Sequence, residues 1–262
     1  MDFWCVYLYV MTAVLGVSVG SFLNVVIYRL PREMSLAFPP SHCTSCNYTL
    51  RWYDNIPVFS YLFLGGKCRK CGAHISIRYT LVELANMLLW LASVALFWKT
   101  SPVYAILAAL ASTVGICIFF IDLEHMIIPD RFTVMTGILG AVAIFFDSST
   151  RWWDHLIGCA AGGLTFLLIY YLAIWVFKRE GMGWGDVKLA FAVGLLLGWQ
   201  KFLLAMLLAS VVGSVVLVCL NRLRGEDKRT EYPFGPFIIG GAVVAMLVGT
   251  PIIEWYLRLL LP

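Results

Sequence analysis

The stretch "FLLAMLLASVVGSVVLVCL" at residues 202–220 contains no charged residue and no proline. A continuous apolar run of this length is what a helix needs to cross a bilayer, about 20 residues, whereas a membrane barrel shows alternating strands of about ten. Comparable runs recur along the 262-residue chain, at approximately 3–28, 79–98, 103–121, 132–146, 156–177, 187–200 and 237–257. The runs at 132–146 and 187–200 are the short ones. Composition agrees: 61% of residues are hydrophobic and 13% charged, against about a quarter charged in soluble domains. The expectation is an all-α, polytopic membrane protein with about eight transmembrane helices. The opening "MDFWCVYLYV" has no basic residue before Arg29, so the first run reads as a span and not as a cleaved signal.

Lys and Arg accumulate in cytoplasmic loops. With the N-terminus outside, segments 29–78, 122–131, 178–188 and 221–236 fall inside and hold 15 of the 19 basic residues. Lys99, Arg151, Lys201 and Arg258 remain outside. Removing the short sixth run as a crossing would push "NRLRGEDKR" to the outer side, against the rule, so eight crossings are favoured. These loops account for the net charge of +4. Membrane lipids are therefore expected as partners and nucleic acid is not.

Three regions follow: a first span (1–28), a cytoplasmic loop domain (29–78) and a transmembrane bundle (79–262). The loop carries "CTSC" and "CRKC", so Cys43, Cys46, Cys68 and Cys71 form two C-x2-C pairs separated by 21 residues. Two such turns present four thiolates to one tetrahedral zinc ion, closing its coordination and making it structural. Two disulfides are the alternative, and a reducing cytoplasmic location favours zinc. His42 and His74 flank the pairs, but four thiols need no substitute ligand. Cys5, Cys117, Cys159 and Cys219 lie singly in apolar runs and read as small buried hydrophobes.

Acidic residues beside membrane spans are costly and carry a functional presumption. Glu83, Asp122, Glu124, Asp130 and Asp186 are the candidates. Asp122 follows one apolar run and Asp186 precedes another, so the topology puts both at cytoplasmic helix ends. Two carboxylates sharing a site cannot both ionise easily, which equips a pair to activate water as base and acid. Equally, Asp186 reads as a helix cap and Asp122 as an interfacial loop residue. Gly181, Gly183 and Gly185 in "GMGWGDVK" (181–188) suit either a close backbone approach or a sharp re-entry turn. No Lys-Ser/Thr pair follows them, so a nucleotide loop is weak. Gly16 with Gly20, and Gly158 with Gly162, have the spacing of close helix contacts.

"FIDLEHMIIPD" (120–130) together with "GMGWGDVK" resembles the prepilin leader peptidases, bifunctional aspartyl proteases and N-methyltransferases of type IV pilus and type II secretion systems. "GVSVGSFLNVVIYRLP" (16–31), "NIPVFSYLFLGGKCRKC" (55–71), "ISIRYTLVE" (75–83) and "YPFGPF" (232–237) are similar to further landmarks of that family, so the resemblance covers nearly the whole chain. It implies that Asp122 and Asp186 are the catalytic pair, a choice between Asp122 and Asp130 that the residues alone leave open. It also implies cleavage of a basic leader from prepilin or pseudopilin precursors after a Gly on the cytoplasmic side of the inner membrane. N-methylation of the new N-terminus from S-adenosylmethionine, associated with the cysteine loop, is implied with it. Thr44 and Thr80 stand where Pro is common in the family. The sequence names no residues for the S-adenosylmethionine site, and Asn24 and Glu83 read equally well as packing or interfacial groups. The alternatives are a peptidase without methyl transfer, a carboxylate-dependent transporter, and a non-catalytic assembly factor. Clustering of the acids at one face, without internal repeat halves, disfavours the transporter.

Overall fold

The computed structural model describes residues 3–178, 182–224 and 232–260. The chain divides into two compact units, Met1–Ala95 and Leu96–Pro262. The described residues form helices and turns, with two isolated β-bridges and no longer strand. Among the described residues, six helices are long and apolar enough to cross a membrane. The protein is thus a multi-pass membrane protein, as the apolar runs predict.

In the first unit, α1 (Phe3–Arg29) and α3 (Arg78–Phe97) pack together, with a loop between them that contains the short α2 (Phe59–Phe63). The Gly16/Gly20 spacing is used for this contact. A Cβ at Gly16 would lie 3.0 Å from the Met87 Cα, and one at Gly20 would lie 2.7 Å from the Glu83 Cα. Backbones this close place side-chain amides within reach of carbonyls across the pair, since unsatisfied polar groups are expensive in an apolar setting. Asn86 donates to the Gly16 carbonyl at 2.7 Å and Asn24 to the Tyr79 carbonyl at 3.1 Å. Where α1 ends, the buried Arg29 guanidinium donates to the carbonyls of Ser35, Leu36 and Pro39 and fixes the chain's exit into the loop.

The second unit is a bundle of α4 (Pro102–His125), α5 (Asp130–Phe146), α6 (Trp152–Phe177), α7 (Trp184–Leu197), α8 (Trp199–Arg224) and α9 (Gly235–Leu260). The helix boundaries follow their local chemistry. Ser101 caps α4 by accepting from the Tyr104 N–H, with Pro102 in the first turn, where its missing N–H costs nothing. The two short apolar runs are α5, with 17 residues, and α7, with 14. Neither reaches the roughly 20 residues that a lone span requires.

Helix α7 lies inside the bundle against α5, α6, α8 and α9. Glycines bring it there. Gly158 of α6 and Gly194 of α7 face each other's backbones so closely that no Cβ fits at either. A Cβ at Gly140 of α5 would lie 2.8 Å from the Leu196 N. By contrast, α6 and α8 expose Leu164, Leu168, Trp175, Leu207 and Val215, the apolar surface that lipid would solvate.

One end of this bundle is fastened by a buried polar knot. Asp147, just after α5, accepts from the Lys201 ammonium at 3.1 Å, from the Ser149 N–H and hydroxyl, and from the Thr150 hydroxyl. Tyr104 of α4 adds its hydroxyl to the same carboxylate. His155, fully buried on α6, pairs through Nδ1 with the Leu195 carbonyl. Lys201, counted above as an outer basic residue, is therefore a buried, neutralised charge.

Candidate functional site

The loop of the first unit is built from two turns of the same design. In the first, the Cys43 N–H donates to the Tyr48 carbonyl and the Asn47 N–H returns to the Cys43 carbonyl, both at 2.9 Å. In the second, the Cys68 N–H donates to the Ala73 carbonyl at 2.8 Å and the Gly72 N–H to the Cys68 carbonyl at 2.9 Å. Each turn closes through a left-handed residue directly after its second cysteine, Asn47 at φ 54° and Gly72 at φ 71°. Gly and Asn are the residues that enter this region at least cost.

The two turns bring all four sulfurs within 4.8 Å of one another. Cys43 and Cys71 Sγ are 3.8 Å apart, and Cys46 and Cys68 Sγ are 4.0 Å apart. A tetrahedron with metal–sulfur bonds of about 2.3 Å has edges of about 3.8 Å, so the donor set fits one zinc ion. The electrostatics also call for a cation. The Ser45 and Cys46 N–H groups pull the Cys43 thiol down to about 6. At Cys71 the Ala73 N–H pulls downward but is outweighed by burial and the three neighbouring sulfurs, which push that thiol up to about 11. Four thiolates this close share the site only with a positive ion among them. Neither histidine joins them: His42 Nδ1 lies 3.0 Å from the Pro40 carbonyl, and His42 and His74 both sit in the β-bridges that flank the turns.

Asp54 braces the second turn. Its carboxylate takes the Arg69 guanidinium at 2.6 Å and the Arg51 N–H at 3.3 Å. Burial alone would raise this carboxyl, but the Arg69 hydrogen bond and charge outweigh it and hold it below the usual range. Sequence reading missed Asp54, because nothing in its spacing marks it as the partner of a residue between two metal-site cysteines.

The second unit collects the acidic residues differently. Asp122 lies in the last turn of α4 and Asp186 in the first turn of α7, and both are buried. Asp122's charge acts directly on the Asp186 carboxyl, so the two segments that carry them converge. One oxygen of each, Asp122 Oδ2 and Asp186 Oδ1, is buried with no partner among the described residues. Each carboxylate also meets a helix N-terminus, where N–H groups and the helix dipole favour negative charge. For Asp186 this is α7 itself, with the Gly183 N–H donating; for Asp122 it is α9, with the Gly235 N–H donating. Asp186 is not the N-cap of α7. That position is Gly183, and Asp186 stands three residues further on.

The other acids do not join this pair. Asp130 is exposed and paired with Lys188 at 2.7 Å, and the N-cap of α5 is Pro129, one residue earlier. Glu124 is exposed, and Glu83 belongs to the first unit, where it accepts the Val58 N–H at 2.8 Å.

Gly183 and Gly185 serve proximity and not unusual dihedral angles. A Cβ at Gly183 would lie 3.3 Å from Asp186 Oδ2, and one at Gly185 would lie 3.0 Å from the Ile128 Cβ. Gly181 lies outside the described residues. Two further participants went unassigned in the sequence, Ile128 and Gly235. Ile128 fills the space beside Gly185 and Gly235, and a Cβ at Gly235 would lie 2.5 Å from Asp122 Oδ2. The "YPFGPF" landmark was the available signal, and its glycine turns out to be the floor under Asp122.

Comparison with known proteins accounts for both units. The bacterial peptidase A24 N-terminal domain matches residues 14–98, and the type IV leader peptidase family matches residues 109–218. A prepilin leader peptidase/N-methyltransferase of Pseudomonas aeruginosa is 36% identical, over 94% of this chain and 92% of that protein. The protein of that name from Aeromonas hydrophila is 38% identical, over 92% and 91%. The one from Myxococcus xanthus is 42% identical, over 83% of this chain and 65% of the longer relative. No solved structure matches significantly. With its cysteine turns in the one unit and its converging aspartates in the other, this chain belongs to the prepilin leader peptidase/N-methyltransferase family.

Proposed function

We propose that this protein removes the basic leader peptide from type IV prepilins and pilin-like precursors by hydrolysis between Asp122 and Asp186, and then methylates the exposed N-terminus. The carrying observation is the pair of buried carboxylates, brought together from helices far apart in sequence, each keeping one oxygen without a partner. A water molecule and a scissile carbonyl between the aspartates require two such oxygens. The ionised member takes a proton from water as it attacks the carbonyl carbon. The protonated member donates to the carbonyl oxygen, and a proton then passes to the leaving amine. No covalent intermediate forms, and the reaction needs no metal at these two residues.

Cleavage takes place on the cytoplasmic side, by the distribution of Lys and Arg between the loops. The four cysteines hold one structural zinc ion, and the unit that contains them serves the methyl transfer. S-adenosylmethionine, when bound, supplies an electrophilic methyl group to the free amine.

The test is leader release from a pilin precursor in detergent, read by mass spectrometry with S-adenosylmethionine present. The wild type is expected to release the leader and to leave a product heavier by one methyl group. Asp122→Asn and Asp186→Asn are each expected to lose cleavage by at least about a thousandfold, the scale for removing one member of a catalytic unit. Cleavage by both variants at the wild-type rate would sink the assignment.

A further inference from the structure

The first unit contains a cavity of about 420 Å³ between α1, α3 and the cysteine loop. Small-molecule sites commonly measure about 300–1,000 Å³. Its charged lining leaves one acid uncompensated. Asp54 and Arg69 neutralise each other. Arg29 commits its donors to three carbonyls. Glu83 is 8% exposed and accepts the Val58 N–H and the Ser21 hydroxyl, and no Lys or Arg among the described residues pairs with it.

Asn24, 5% exposed, lines the same space. Its amide nitrogen reaches the Gly20 and Tyr79 carbonyls, while its Oδ1 is buried with no partner. A buried carboxylate lacking a counter-ion and an orphaned amide oxygen are two acceptors whose burial is costly unless a cationic donor fills the space. Tyr28, Tyr61 and Tyr79 also line the cavity, and aromatic faces favour both cations and flat rings.

We infer that this cavity is the binding site of the methyl donor S-adenosylmethionine, with the Glu83 carboxylate and the Asn24 amide oxygen set against its cationic groups. The inference rests on the N-methyltransferase reading above. The donor matches the lining: it carries an ammonium group that donates, a sulfonium centre whose positive charge an oxygen stabilises without a hydrogen bond, and an aromatic base for the tyrosines. Cys43 and Cys68 contribute to the wall, so the metal turns shape the cavity. This gives a physical reason for one unit to contain both the zinc site and the methyl-transfer chemistry.

Two measurements on the full, zinc-loaded chain in detergent test it. In the first, the wild type is irradiated with S-adenosyl-[methyl-³H]methionine and digested, and the labelled peptides are located. Label within residues 21–83 is expected; label confined to 96–262 would overturn the assignment. The second compares the dissociation constants of wild type and Glu83→Gln by equilibrium dialysis, with zinc content and melting temperature measured on the same samples. Weakening by about tenfold or more is expected. Unchanged affinity in a folded, zinc-replete variant overturns the role of Glu83. Should Glu83→Gln lose zinc or fold poorly, the wild-type label decides alone. A wild type that cleaves leader but binds no donor overturns this site together with the N-methyltransferase reading, whereas labelling elsewhere overturns only the site.

Discussion

Gly235 is where a single atom has the most leverage on the proposed chemistry. A methyl group there would lie 2.5 Å from Asp122 Oδ2 and 3.2 Å from the Ile128 Cδ1, too close to the carboxylate for it to stay where it is. Gly235→Ala is therefore expected to lower leader cleavage at least about tenfold, by displacing a carboxylate from its productive position, while zinc content stays unchanged. Gly137→Ala is the control. Its Cβ would meet nothing, and inside a helix the change is expected to stabilise by about 0.5–1 kcal/mol. Cleavage assays and thermal melts of the two variants check both outcomes. Wild-type activity in Gly235→Ala would mean that Asp122 does not work from its observed position.

The same residue marks the limit of what the sequence discloses. Asp122 and Asp130 look alike in the chain, each acidic and each at the edge of an apolar run. What separates them is that one is buried beneath the N-terminus of α9 and the other is exposed beside Lys188. Local spacing cannot carry that difference, because it depends on a helix more than a hundred residues away. The cysteine turns are the opposite case. Their cysteines, their spacing and the left-handed positions that close them are all local, so the clustering of the four sulfurs was legible almost in full. The cavity partners Asn24 and Glu83 were visible only as polar residues in an apolar setting, since their open acceptors appear only once α1 and α3 have packed.

Among the elements, the cysteine loop and the knot at Asp147 are stabilised by different physics and should fail differently. The loop's turns have few backbone bonds of their own beyond those that orient the sulfurs. Protein isolated anaerobically is expected to contain about one zinc per chain by elemental analysis, the number one tetrathiolate cluster holds. Stripping the metal is expected to open residues 29–78 to protease and leave 96–262 protected. Metal-free protein with an equally resistant loop would remove zinc from the account.

The knot at Asp147 joins α4, α5 and α8 through one buried carboxylate. Asp147→Asn leaves the Lys201 ammonium buried without its counter-charge, and breaking a buried pair in this way costs about 3–5 kcal/mol. A large fall in melting temperature is expected. Removing both charges with Asp147→Asn and Lys201→Met is expected to recover part of it, as the double-mutant comparison would reveal. If the single variant melts like wild type, the knot is not a fastening point.

For the whole molecule, the eight apolar runs coincide to within a few residues at most ends with α1 and α3 to α9, because continuous hydrophobicity is the strongest signal a sequence carries. The division of labour between them was less legible. The two short runs looked like uncertain crossings, yet α7 is short because it is packed among other helices, where the thickness of the bilayer no longer dictates its length. The orientation argument gives a direct expectation. In intact cells, single cysteines introduced at Lys67 and at Arg222 should resist a membrane-impermeant thiol reagent, and one at Lys99 should react. Labelling in the reverse pattern would turn the molecule over and move the proposed cleavage to the other face.

Helix α7 has a consequence for how hydrolysis takes place in a bilayer. Its 14 residues extend about 21 Å, some 9 Å less than a typical hydrocarbon core. Asp186 stands at its first turn and Asp122 at the last turn of α4, so both aspartates lie where their helices end. Each cut consumes one water molecule, so hydrolysis by this pair requires bulk solvent to reach those helix ends while the lipid outside stays dry. The transmembrane start of a pilin precursor would then meet water without leaving the membrane.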